Sequence, residues 1–155
     1  MTLARAAGLL LLLLAVSACS LMGGEEVAWT ERVLSSAPPR RDLLGYCARG
    51  MAQAGFPAPQ TDEARAAVVS DWRNELQPFG GAGRRYRATL EVAPGENGAT
   101  LLRARVEAQS NEELARPLDP ALADWEDQLD DTTRARILLQ HVITLLETSG
   151  AGSGR

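Results

Sequence analysis

Lysine is absent from the sequence: all sixteen basic residues are arginine. That excludes a lysine nucleophile, a Schiff base and the lysine of a Walker-type phosphate loop. Cysteine is almost as scarce, with only Cys19 and Cys47, and His141 is the single histidine. So few thiol and imidazole donors leave little material for a His/Cys metal site, and neither a metal nor a cofactor is expected. The longest apolar run covers about ten residues near the N-terminus, short of the ~20 that a membrane-spanning helix needs. What is present is a chain of 155 residues, 45% hydrophobic and 23% charged, with a formal net charge of −4. That is enough for one ordinary domain with a tether, and too little for two full domains.

Residues 1–18 read as an export signal. Arg5 supplies a positive start, and Gly8 to Val16 supplies a short apolar core. The run ends in Val16-Ser17-Ala18-Cys19. This resembles the lipobox of bacterial lipoproteins, in which an aliphatic residue and two small ones precede the cysteine that becomes the first residue. The resemblance covers the first nineteen residues only. It implies a thioether-linked diacylglycerol on Cys19 and a further acyl chain, such as palmitate, on its amine. Two or more chains hold a membrane firmly where one does not, at ~0.8 kcal/mol per buried CH₂. Ser20 follows the cysteine where aspartate would imply inner-membrane retention, so the resemblance implies the periplasmic face of an outer membrane.

Without residues 1–18 the chain keeps fifteen arginines against twenty acids, a net charge of −5. So acidic a surface argues against nucleic acid as a partner. The stretch 19–40, with Gly23-Gly24 and Pro38-Pro39, reads as lipid anchor and tether, residues 41–147 as a single domain, and 148–155 as a flexible tail. Fully extended, a tether of that length reaches ~65 Å.

The domain opens with an expected helix from Arg41 to Ala54. Leu43, Leu44, Cys47, Ala48 and Met51 repeat on one face, and Gly55 and Pro57 form the stop. Cys47 on that stripe reads as a small core hydrophobe. A short Val-rich strand is expected over Ala66–Trp72, followed by a loop with Pro78 and Gly80-Gly81-Ala82-Gly83. That glycine cluster lacks the Lys-Ser/Thr ending of a phosphate loop.

The strongest pattern is a β-hairpin. Tyr86, Ala88, Leu90 and Val92 alternate with polar residues, as do Leu102, Ala104, Val106 and Ala108 after the turn-rich Pro94–Gly98. Only an odd-length loop of three or five residues sets Val92 against Leu102 while matching Glu91 to Arg103 and Arg87 to Glu107. It puts Gly98 in the left-handed region. Farther on, Asp119-Pro120 fits a short capped turn toward Trp125. Asp130 or Asp131 caps a last helix over Thr132–Glu147, striped by Ala135, Leu138, Leu139, Val142, Leu145 and Leu146. The expectation is an α+β fold in the order α-β-β-β-α, with two helices on one face of an antiparallel sheet of about three strands. In outline this is similar to the helix-grip domains of outer-membrane assembly lipoproteins, a likeness of architecture without a shared motif.

Chemistry is thinly represented. His141 borders the core stripe, and no serine or cysteine stands in a nucleophile motif, so no enzyme and no catalytic residue is expected. The acids from Asp124 to Asp131 do not follow the spacing of a Ca²⁺ loop. One constellation stands out: Arg85, Arg87, Arg103 and Arg105 share the outer face of the hairpin with only Glu91 and Glu107, for a local charge near +2. The expected function is a non-enzymatic accessory or scaffold subunit of an envelope complex, held by its lipid and bound to an envelope protein. The alternative is a binding module whose arginine face captures an anionic envelope molecule.

Overall fold

Alternation of apolar and polar residues over 84–111 builds the longest strand pair, and everything else is arranged around it. The computed structural model describes residues 27–76 and 82–150. The elements in chain order are β1 (Thr30–Leu34), α1 (Arg40–Gln53), β2 (Gln60–Asp62), β3 (Ala67–Val69), β4 (Arg73–Glu75), β5 (Arg84–Pro94), β6 (Thr100–Asn111), β7 (Trp125–Gln128) and α2 (Thr132–Thr148). The sheet runs β1-β6-β5-β3-β2, with β4 also on β5 and β7 also on β6, all antiparallel.

Among the described residues the fold is α+β in the order β-α-β-β-β-β-β-β-α, with seven strands in its sheet, which corrects both the expected order α-β-β-β-α and the expected sheet of about three strands. Four of the strands are only three or four residues long. Such pieces are too short for an alternation to show. The central residues of β1 are all exposed, so it carries no alternation either. That strand lies inside the stretch read as tether and pairs with β6 from Thr30↔Ala104 to Leu34↔Thr100.

The segment expected as one strand over Ala66–Trp72 is two. β3 pairs with β5 up to Val69↔Thr89, and β4 resumes at Arg73↔Tyr86. Three residues, Ser70 to Trp72, thus stand against Arg87 and Ala88, a one-residue bulge. Ser70 fills it: its amide donates to the Ala88 carbonyl (2.9 Å) and its hydroxyl accepts from the Ala88 amide (3.0 Å). The extra residue swaps faces, so Trp72 lies on the outer side although Val68 and Ser70 are buried on the inner one.

The hairpin has the register that charge and packing require: Val92↔Leu102, Leu90↔Ala104, Glu91↔Arg103 and Arg87↔Glu107. Its strands are joined by the five-residue connection Gly95–Ala99. Gly98 is left-handed at φ 78°, and Asn97 joins it at φ 53°. Both helices cover the inner face. Leu43, Leu44, Cys47 and Met51 of α1 and Ala135, Leu138, Leu139, Val142 and Leu146 of α2 bury against Val68, Leu90, Leu102 and Val106. Leu145 is only half-buried. The helices touch where α1 has Gly50: a Cβ there would lie 2.6 Å from Val142 Cγ2. Asp131 is the residue that caps α2, its carboxylate accepting from the Arg134 amide at 2.8 Å.

Candidate interaction surfaces

Among the described residues, no helix covers the outer face of the sheet; the side chains there cover one another. Glu107 accepts two bonds from Arg87 (2.9 and 3.0 Å), and Glu91 accepts from Arg103 at 2.7 and 2.9 Å. β7 and the turn after it bring two more carboxylates. Asp130 accepts from Arg105 Nε at 2.7 Å, and Asp127 accepts from Gln109, whose own oxygen takes Arg85 Nε. Four guanidiniums therefore face four carboxylates, and the +2 counted from the hairpin alone disappears. Burial and the neighbouring Arg87 push the Arg85 guanidinium below its ordinary pKa, with Asp127 opposing them. The Glu107 hydrogen bonds hold Arg87 above its own.

All three tryptophans of the chain lie on this face. Arg85 is stacked between Trp72 and Trp125, 4.5 Å from each ring centre. Arg87 sits 4.7 Å from Trp72, and Arg103 4.7 Å from Trp29. Sequence reasoning found the arginines and missed the tryptophans, because two of the three stand just outside a strand and the third begins one too short to recognise. A cue did exist, since each Trp adjoins a short polar stretch that pairs with the hairpin.

The other residues singled out fall elsewhere. Val16, Ser17, Ala18 and Cys19 of the lipobox lie outside the described residues, as do Pro78, Gly80 and Gly81. Cys47 is completely buried, and burial pushes its thiol up to about 12. His141 is half-buried beside Val142 on α2. The acids from Asp124 to Asp131 are dispersed, with Asp127, Asp130 and Asp131 each taken by a different partner. Among the described residues, no group of three or more His, Cys, Asp or Glu side chains is placed to hold a metal ion.

Two further features come from the structure alone. Asp130 also accepts from the Ala28 amide (3.1 Å), so one carboxylate ties both Arg105 and the incoming N-terminal chain to the sheet. The second is the loop 112–124. Its base is closed by the Glu112 amide on the Asp124 carbonyl (2.8 Å). Beneath it the buried Asn111 oxygen accepts from the Glu113 and Asp124 amides, both at 3.0 Å, while its amide nitrogen donates to the Pro117 carbonyl. Glu113 and Asp119 satisfy further loop amides. This is an Ω-loop, a compact excursion whose ends meet. Such loops pack their own side chains inward, yet here Leu114, Leu118 and Leu122 are 86%, 51% and 40% exposed.

No family model and no curated protein matches the chain.

Proposed function

We propose that the protein is a lipoprotein of the bacterial cell envelope, anchored through lipid on Cys19 to the periplasmic face of the outer membrane. Its domain acts without catalysis, as an accessory or scaffold subunit of an envelope complex, with an envelope protein as partner. The observation that carries this is the tie between Asp130 and the Ala28 amide, reinforced by the pairing of β1 with β6. Nine peptide steps from Cys19 to Ala28 reach at most ~30 Å, less than half the span of a tether running to residue 40. A domain on so short a leash works at the lipid surface, where a membrane-bound assembly would meet it. Capture of an anionic molecule by Arg85, Arg87, Arg103 and Arg105 is the weaker reading, because carboxylates and tryptophan faces already engage that surface.

Fractionation tests the anchor. The native chain is expected in outer-membrane fractions, and Cys19→Ala is expected in the soluble periplasm; membrane retention of Cys19→Ala overturns lipid anchoring. Crosslinking in cells, followed by mass spectrometry, tests the role. One recurrent protein in near-stoichiometric amount is expected, and recovery of lipid or glycan in its place overturns the accessory reading.

A further inference from the structure

We propose that the Ω-loop 112–124 is the docking surface for a protein partner that offers an apolar groove bordered by Arg or Lys. The inference rests on the accessory reading above and adds the surface and the chemistry of what binds it. Leu114, Leu118 and Leu122 lie on one short loop, Leu114 almost fully exposed and the other two about half exposed. Flexibility does not account for the exposure, because hydrogen bonds fix the loop at its base and along its length: the Asn111 side chain from below, Glu113 Oε1 under the Ala115 amide (2.6 Å), and Asp119 Oδ1 under the Ala121 amide (3.0 Å). Apolar side chains on a preorganised frame lose little conformational freedom when a partner covers them.

Charge identifies the occupant. The loop holds Glu112, Glu113, Asp119 and Asp124 against Arg116 alone, and Glu126 and Asp127 follow directly in β7. A phosphate-lined bilayer surface repels such a rim. A protein groove with basic edges attracts it, and the leucines then fill the apolar floor.

The test places a photo-crosslinking amino acid at position 118 of the full-length chain in cells, and separately at Val33 and Ile137. These two exposed apolar positions lie outside the loop, at 66% and 51% exposure. The expected result is one discrete protein adduct from position 118 and none from the other two. The partner's crosslinked peptide is expected to be apolar and flanked by Arg or Lys. Asp124→Arg combined with Glu126→Arg changes two exposed carboxylates that hold no backbone group. That pair is expected to cut the adduct about tenfold. An adduct that survives the charge reversal overturns the basic groove. A protein adduct from Val33 or Ile137 but not from position 118 overturns the loop as the surface and leaves the accessory reading standing; no protein adduct anywhere overturns both.

The bilayer is tested in vitro. Leu118→Cys in the full lipidated chain is labelled with an environment-sensitive nitrobenzoxadiazole dye, which the buried Cys47 does not take up. The protein is then placed in phosphatidylethanolamine–phosphatidylglycerol vesicles. Emission is expected to stay at its value in water; a blue shift overturns the protein partner in favour of the membrane. A crosslink between two copies of this chain overturns it in favour of self-association.

Discussion

Leu90 and Glu91 are neighbours in β5, yet Leu90 is fully buried beneath the helices while Glu91 holds Arg103 on the open side. The same alternation runs through the sheet and divides it into two surfaces built by different physics. On the inner face, small residues such as Ala88 and Ala104 admit the helices, and stability comes from apolar area removed from water. On the outer face no second layer arrives from the described residues. Arginine stems and tryptophan rings roof the strands, and their charged ends are matched by Glu91, Glu107, Asp127 and Asp130. A sheet can thus shield its open face with its own side chains, through many weak contacts instead of a few deep ones. Each exposed cation–π stack contributes ~0.5–1 kcal/mol and each half-exposed ion pair ~0–1 kcal/mol.

Substitutions on the two faces should separate accordingly. Leu102→Ala on the inner face is expected to cost ~2–5 kcal/mol in chemical denaturation; a loss no larger than that of outer-face substitutions would break the distinction. Asn111→Ala removes three loop bonds from a buried position and is expected to cost ~1–3 kcal/mol. Amide hydrogen exchange at Glu113 and Asp124 should accelerate with it. Arg85→Ala dissolves the stack between Trp72 and Trp125 and is expected to cost ~1–2 kcal/mol.

Titration of Cys47 gives a smaller effect. Its thiol is held at about 12 in the fold against an ordinary 9.0. A raised pKa means stability that is complete below pH 9 and is lost as pH climbs toward 12. About 1 kcal/mol should go between pH 9 and pH 10, and Cys47→Ala should flatten that slope. Glu91→Gln removes one charge from the pair with Arg103 and is expected to cost ~0.5 kcal/mol, less in high salt.

The sequence made the inner face legible and left much of the outer one dark. Leu90 against Ala104, and Glu91 against Arg103, were recoverable because each face independently demanded the same register. The stripe of α2 and its cap at one of two adjacent aspartates were equally open to periodicity. β1 was not, since Glu31, Arg32 and Val33 are all exposed and pairing with a distant strand leaves no local mark. Trp72 was unreadable for a different reason: a bulge at Ser70 reverses which face it joins, and one extra residue cannot be seen in alternation. Asp130 was legible as a possible cap, whereas its hold on Ala28 required knowing that β1 and β7 share an edge. The leucines of the loop carry no mark in the sequence, because exposure is a property of the fold.

That shared edge has a kinetic consequence. β6 gives one side to β5, its neighbour in sequence, and divides the other between β1 and β7. The hairpin closes over a short turn, on a timescale of ~1–10 μs. β1 must instead close a loop of roughly seventy residues before Thr30 meets Ala104, at a greater entropic cost. Of the described strands, the one that leaves the ribosome first is therefore among the last to dock. Until it does, β6 presents open amides and carbonyls over Thr100–Ala104, a template for pairing with any other extended chain.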